Sequence, residues 1–545
     1  MKTVIDTIRK QFTENPVRSI LLLALFVRLI AVFFAKGYMM HDDHFLTIEP
    51  SSSWAAGKNF NDWIPTEANG RTAPEPISFF YLGVLFTLFK LYQFLGLENP
   101  ETQMFLMRLL HAFYSLLTVY FAYRITLKLD NKESALKVGL LIALIGVMPN
   151  FSVRNLVEFV CMPPLLGGMY LLIKNFKRKD SLTGGAFFSE QIGWGSLLLA
   201  AVIMGLAVGV RYQTGLFVAM TGLVILLRTN FINAFLFGVV SFAAFFLTQI
   251  DDVIFWGGKP FQHLQGYFAY NSEHANAYPG APMAYLSFLG YFILPPVSLM
   301  LLAGFIKSWK KYLIIAVPVT AFVLFHVFYP NRQERFILPA LPFFVIIGVI
   351  GWNKLVSEST FWASRVRLHT NLWRVFWVMN TLVLVVFSTT YSKRARVESM
   401  LYLYNSGDCR NFVLEFTDKE GGAMMPQYYS GCWTSYYYWN NNAVPAELIP
   451  KMNEVEMGSA GDLMPRPEAN YYLFYDGPRL EQRIAEIRKY YPDLKLMAEV
   501  EPGWFDVVLH KVNDKNALER IFIYKTEMKF IAPTEENFAG HLLLD

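Results

Sequence analysis

Ile77-Ser78-Phe79-Phe80-Tyr81-Leu82-Gly83-Val84-Leu85-Phe86-Thr87-Leu88-Phe89-Lys90-Leu91-Tyr92-Gln93-Phe94-Leu95-Gly96-Leu97 is apolar and long enough to cross a bilayer. Whether it crosses decides the orientation of every helix after it. The N-terminus carries Lys2, Arg9, Lys10 and Arg18 ahead of a first apolar run near Ile20 to Ala35. Basic residues stay on the cytoplasmic side, so that run exits on the far side. If 77–97 also crossed, the run Lys174-Asn175-Phe176-Lys177-Arg178-Lys179 would be external, against the orientation rule. If it does not cross, Arg124/Lys128/Lys132, Lys174 to Lys179, Arg228, Lys307/Lys310/Lys311 and Lys354/Arg365/Arg367 all fall inside. Residues 77–97 are therefore expected to form an interfacial or re-entrant helix pair within a large first external loop, 37–104.

The composition agrees with a membrane protein. Of 545 residues 54% are hydrophobic and 17% charged, where a soluble domain averages about 25% charged. Further spans are expected near 105–127, 136–151, 156–173, 193–210, 214–228, 231–249, 283–305, 312–329, 335–352 and 372–391, giving about eleven with the first. The N-terminal run lacks a small-x-small cleavage pattern and is expected to be a retained helix. Residues 1–391 thus read as an all-α polytopic membrane domain. Residues 392–545 read as a soluble extracytoplasmic α/β domain, with a helix from Leu480 to Tyr490 and strands over Leu494–Val500 and Phe505–His510. The net charge of +5 is spent on cytoplasmic loops, and no basic patch interleaved with aromatics points to nucleic acid. Cys409 and Cys432 could pair outside the cell or remain thiols, and Cys161 lies in an apolar run.

Directly after the first helix comes Met40-His41-Asp42-Asp43-His44-Phe45-Leu46-Thr47-Ile48-Glu49. Charged groups at a membrane boundary are costly and tend to be functional. A carboxylate here can take a proton from a hydroxyl. His41 and His44 could join the carboxylates on a metal, but neither pair has a metal-ligand spacing, and no metal is expected. The other external corners carry Arg108, Arg154, Arg211, Arg332 and Arg335. Each alone is accounted for by snorkelling or a structural ion pair. A set on the side opposite the topology signal suits a phosphate-bearing ligand, which guanidinium pairs with bidentately.

These motifs resemble the GT-C superfamily of membrane glycosyltransferases, and within it the family 22 α-mannosyltransferases. That family carries His-Pro-Asp-Glu-x-Phe-Gln-x-x-Glu after the first helix; Asp42, Phe45 and Glu49 match, and Asp43 replaces Glu. Its His-Lys-Glu-x-Arg-Phe is similar to Asn331-Arg332-Gln333-Glu334-Arg335-Phe336. Its Asp-x-x-x-Tyr, Asn and Tyr-Gly-x-x-Pro-Trp-x-x-Tyr stretch is similar to Asp251 through Asn271 and Tyr278 to Tyr285. Arg211, after Gly205 and Gly209, looks like the family's arginine at the end of a Gly/Ala-rich helix, and Arg108 like one that opens the second span in related enzymes.

The resemblance implies an inverting transfer of one sugar, mannose by likeness, from a polyprenyl phosphate to a hydroxyl of a glycan or lipid-linked glycan, on the extracytoplasmic face. Asp42 would be the general base, with Asp43 second. Arg335, Arg332, Arg211 and Arg108 would bind the donor phosphate. Glu49, His41, His44, Asn271 and Tyr285 would contact substrate. The lipid-phosphate sugar is a substrate, so no cofactor is implied, and the remaining partners are membrane lipids. A bacterial inner membrane is favoured over the ER, because the motifs diverge from those of the ER enzymes. The alternatives are another GT-C transferase (aminoarabinose or protein O-glycosyl), a lipid-linked glycan transporter, and a non-catalytic assembly subunit. A transporter would show paired halves and helices broken at mid-membrane, and neither is visible here.

Overall fold

Apolar segments become helices because hydrocarbon offers no partner for an open N–H or C=O. The computed structural model describes residues 10–60, 63–65, 77–174, 193–276, 284–285, 292–415, 424–433, 437–439, 455–457, 463–465, 468–514 and 518–528. Among these, five helices are long and apolar enough to cross a membrane: Pro16–Phe34, Pro100–Leu129, Phe231–Trp256, Glu334–Glu358 and Val366–Ser388. Shorter apolar helices cover Phe79–Phe94, Val157–Ile173, Trp194–Val210, Thr214–Arg228, Val297–Ser308 and Leu313–Phe328. Two expected segments are each broken in two, into Lys132–Leu144 and Met148–Ser152, and into Val157–Val160 and Met162–Ile173. The expected helix pair over 77–97 is instead one uninterrupted helix, Phe79–Phe94. Nothing in Phe79 to Phe94 breaks it, since its one Gly costs only about 1 kcal/mol. The basic run 175–179, residues 286–291 of one expected span, residues 61–62 and 66–76 of the first loop, and the stretch Tyr278 to Met283 lie outside the described residues.

The chain forms two compact units. The first gathers Met1–Ala35, Glu75–Val84 and Phe105–Thr389. Its helices approach closely through small residues, as association in lipid requires. A Cβ on Gly304 would overlap the carbonyl of Gly348, and one on Gly351 the carbonyl of Gly304. These glycines let Val297–Ser308 lie against Leu341–Glu358, which is buried along most of its length. Gly205 does the same for Trp194–Val210 against the Ser241 carbonyl of Phe231–Thr248.

The second unit gathers Lys36–Pro74, Leu85–Met104 and Thr390–Asp545. Gly37, at φ 70°, pairs with Ser392 in a parallel bridge where any side chain would strike the Ser392 carbonyl. That bridge ties the start of the first loop to the start of the C-terminal segment. The strands are β1 Phe412–Glu415, β2 Tyr437–Trp439, β3 Val455–Met457, β4 Leu463–Pro465, β5 Tyr471–Tyr475, β6 Lys495–Val500 and β7 Ile521–Lys525. Five of them form a sheet in the order β2-β1-β5-β7-β6, parallel between β1 and its two neighbours and antiparallel on either side of β7. Helix Leu480–Arg488 packs Ile484 and Ile487 onto Tyr472, Phe474 and Tyr491. This is the α/β region expected after residue 392. One element differs: Phe505–His510, read as a strand from its Val pair, is part of helix Trp504–Val512. Asp506 Oδ2 accepts the Gly503 N–H at 3.2 Å and closes the first turn, overriding the β preference of two valines.

The small-residue contact generates a prediction. Gly351→Val places a Cβ bearing two methyl groups against a carbonyl and should cost about 1–3 kcal/mol or more. Thermal unfolding of the detergent-purified protein should shift down by several degrees; an unchanged midpoint would show that the helices are held apart from this contact.

Candidate active site

The sequence places a lone carboxylate, Glu158, in an otherwise apolar stretch after Arg154. It sits on the short helix Val157–Val160 and its side chain is 2% exposed. Helix Trp194–Val210 ends at Arg211, which turns to an extended conformation as its C-cap. Arg335 enters from the 3-10 turn Glu334–Ala340. Arg211 Nη1 donates to Glu158 Oε1, and Arg335 Nε lies 3.9 Å from the same oxygen. The Phe336 ring lies beside both guanidiniums, 5.3 and 5.6 Å from its centroid. Two buried cations therefore share one carboxylate. Within the described residues, Arg211 Nε and Nη2 and Glu158 Oε2 make no hydrogen bond. Buried donors left this way cost about 1–3 kcal/mol each, so the cluster is incomplete as it stands. An anion would satisfy the two open Arg211 donors.

Other polar groups surround the cluster. Tyr267 accepts a hydrogen bond from Gln213 Nε2, and burial pushes its phenol up to about 12 against the pull of Arg211. It is a neutral donor at physiological pH. Tyr285 donates to the Gln333 carbonyl at 3.3 Å, and Arg335 Nη2 donates to Gln333 Oε1 at 2.7 Å. Arg332 is held differently: Nε donates to the Val327 carbonyl in the last turn of the preceding helix at 2.9 Å, and Nη1 to the Pro330 carbonyl at 3.4 Å. Asn271 is also locally engaged, donating to Tyr267 O at 2.8 Å and accepting from Tyr329. Arg108 is buried and donates to the Val32 carbonyl at 3.0 Å, pinning two helices. Of the arginines singled out in the sequence, Arg211 and Arg335 come together. Glu158 and Tyr267 were not foreseen; the signal for Glu158 was a single acid amid apolar residues.

The acidic loop belongs to the second unit, and its carboxylates differ. Asp43 is buried; its Oδ2 accepts the Met39 N–H at 3.2 Å, and its carbonyl accepts Thr47 Oγ1 at 2.9 Å. Asp42 is only half-buried and reaches solvent. Exposed His41 stacks on Phe45 at 4.7 Å. Glu49 and His44 are almost fully buried. Glu49 Oε1 accepts the Tyr428 N–H at 3.2 Å and lies 3.3 Å from His44 Nε2. The His44 ring is stacked between Tyr38 at 5.1 Å and Tyr429 at 5.4 Å. Tyr428 in turn donates to Gln103 Oε1 at 2.8 Å. Glu49 and His44 thus anchor the loop to the turn Gln427–Ser430. Of the motif's three carboxylates, Asp42 is the one that is not fully buried. Among the described residues no group of three His, Cys, Asp or Glu side chains gathers as a metal site. Cys409 and Cys432 are thiols, and burial pushes Cys409 up to about 12.

A sequence model of the Alg9-like mannosyltransferase family matches residues 19–413. The chain belongs to that family. Among solved structures it is similar to ArnT from Cupriavidus metallidurans bound to undecaprenyl phosphate, at 12% identity and TM-score 0.55, covering 96% of this chain and 100% of that one. It is also similar to the Archaeoglobus fulgidus oligosaccharyltransferase in its apo form, at 11% identity and TM-score 0.51, covering 88% and 73%. The same archaeal enzyme, AglB, in complex with an inhibitory peptide and a dolichol-phosphate, matches at 10% identity and TM-score 0.50, again over 88% and 73%. Comparison with curated protein sequences gives no match. This member of the Alg9-like family is an integral membrane glycosyltransferase with the GT-C fold.

Glu49 yields the prediction. Glu49→Ala removes the buried carboxylate that accepts the Tyr428 N–H, at a cost of about 1–3 kcal/mol. The mutant should unfold at lower temperature than wild type; an equal midpoint would mean that the loop is anchored elsewhere.

Proposed function

We propose that the protein transfers one sugar, mannose by family, from a polyprenyl-phosphate donor to a hydroxyl of a glycan or lipid-linked glycan, with inversion, on the extracytoplasmic face. The observation that carries this reading is the buried pair Arg211 and Arg335, which shares the single carboxylate of Glu158 and keeps donors without a partner on Arg211. A phosphate fits that electrostatic demand, because guanidinium pairs with it through parallel hydrogen bonds. The bound lipid phosphates of ArnT and AglB support the same ligand class by analogy of fold.

In the reaction the bond from the sugar's anomeric carbon to the phosphate oxygen breaks, and that oxygen keeps the electron pair. The acceptor oxygen bonds the anomeric carbon from the opposite face. Its proton passes to Asp42, the half-buried carboxylate of the acidic loop. Arg211 and Arg335 stabilise the charge that gathers on the leaving phosphate, where the transition state needs it most. Tyr267 and Tyr285 supply neutral hydroxyls beside the arginines. The scheme assigns the positive charge to arginine, and no metal enters it. Asp43, with its carboxylate on the Met39 N–H, shapes the loop.

Purified protein given citronellyl-phosphate mannose and a pool of lipid-linked glycans should form mannosylated product. Asp42→Asn should lower the rate by about 10²–10⁴-fold, the usual contribution of a general base. Arg211→Met should lower it by about 10²–10³-fold, as for loss of a transition-state donor. Both variants should elute as folded monodisperse protein. Wild-type rates from folded Asp42→Asn would move the base to another residue. Wild-type rates from folded Arg211→Met would remove the phosphate assignment.

A further inference from the structure

A short helix in water is marginal by itself and depends on burying one face. Helix Trp504–Val512 buries none of its residues, although six of its nine (Trp504, Phe505, Val507, Val508, Leu509 and Val512) are apolar. Trp504, Val508 and Val512 recur every fourth residue and so share a face. They are 48%, 44% and 81% exposed. Asp506 and His510 stand on the opposite face, and Asp506 closes the first turn through the Gly503 N–H. Single exposed apolar side chains are ordinary on a protein surface. An aligned row of three, on a helix with no other burial, is a face made to be covered. We propose that the membrane covers it: helix Trp504–Val512 lies in the bilayer interface with this row turned to the acyl chains.

The place where the helix starts favours lipid over a soluble partner. A Cβ on Gly503 would lie 2.7 Å from the Tyr391 carbonyl oxygen and 3.7 Å from Arg394 Cβ. Tyr391 comes three residues after the end of the apolar helix Val366–Ser388. The next residue, Ser392, is bridged to Gly37, which comes three residues after the end of Pro16–Phe34. Three residues reach at most about 11 Å. The polar layer on each side of the hydrocarbon is about 5–8 Å deep. The first turn of Trp504–Val512 therefore starts in or beside the headgroup layer, whichever leaflet Ser388 reaches. The side chains suit that position. Tryptophan concentrates at membrane boundaries, where its ring meets the acyl region and its N–H the polar layer. Lys511 flanks the row on the same helix and is exposed. Its aliphatic stem can lie along lipid while the ammonium reaches headgroup phosphate. An amphipathic helix of this kind lies flat, its apolar face about 5–10 Å into the boundary between headgroups and chains. The same C-terminal segment carries the turn Gln427–Ser430 that holds Glu49. Lipid contact at Trp504–Val512 thus keeps that turn at the surface where a lipid-borne substrate arrives.

Photocrosslinking in a bilayer tests this. The full-length protein is made with Val508→p-benzoylphenylalanine, reconstituted in nanodiscs of phosphatidylcholine and phosphatidylglycerol, and irradiated. The control is Glu486→p-benzoylphenylalanine, on the exposed side of helix Leu480–Arg488. Intact-mass spectrometry reads the adducts. Position 508 should form phospholipid adducts, in a yield several-fold above that at 486. Equal yields at the two positions overturn the proposal, because the row would then be no closer to lipid than a polar surface is. A crosslink from 508 to a second copy of the chain, or to another part of the same chain, overturns it as well and names protein as the cover. The absence of any adduct at 508 leaves the row in water and overturns it too. If the variant at 508 does not elute as folded protein, Val512→p-benzoylphenylalanine is read in the same way, at a side chain that is 81% exposed.

Discussion

Two guanidiniums that share one buried carboxylate cannot be a closed structural ion pair. Burying an ion costs several kcal/mol unless its charge and its hydrogen bonds are met nearby. Arg211 and Arg335 both face the Glu158 carboxylate, and among the described residues Arg211 keeps two N–H groups without a partner. A protein that needed only helix–helix cohesion would place small residues at this position. It does so elsewhere, at Gly304, Gly348 and Gly351. The open Arg211 donors are a standing cost in stability, one that a bound anion would offset. Much of the first unit can be understood as the frame for this cluster: a helix end delivers Arg211, a broken helix delivers Glu158, and a 3-10 turn delivers Arg335.

The acidic loop is held by a different kind of contact. His44 is stacked between two tyrosines, and Glu49 accepts a backbone N–H from the turn Gln427–Ser430. The bridge between Gly37 and Ser392 fixes the loop's origin. Three consecutive motif positions thereby acquire distinct physical duties. Asp42 is only half-buried, Asp43 caps the loop's own backbone, and His44 locks the loop to residues from the far end of the chain. The C-terminal segment is thus part of what shapes the acidic motif, beyond its own sheet and core.

The helices were legible in the sequence because burial in lipid demands long apolar runs, and such runs leave little choice of structure. Arg211 and Arg335 were legible as cations on the side where topology does not call for them. Glu158 was not. Four residues after Arg154, it reads as that arginine's helical neighbour, yet its partner is Arg211, 53 positions away. The sequence ranked Asp42 ahead of Asp43 by motif position, and only the fold shows that Asp43 engages the Met39 N–H with its carboxylate. Arg332 and Asn271 matched family positions, but their side chains bond carbonyls within a few residues, a local choice that composition does not reveal. The helix Trp504–Val512 was misread for a related reason: β-branched residues suggest a strand, while one aspartate at the first turn decides for a helix.

The central claim is that the Arg211, Arg335 and Glu158 cluster receives the phosphate of a lipid-linked ligand. A cryo-electron microscopy structure of the full-length protein with a bound short-chain polyprenyl phosphate tests it most directly. The account predicts phosphate density within hydrogen-bond distance of Arg211 Nε and Nη2, with Arg335 beside it. Phosphate density held by other residues, with the Arg211–Glu158 contact untouched, would contradict it.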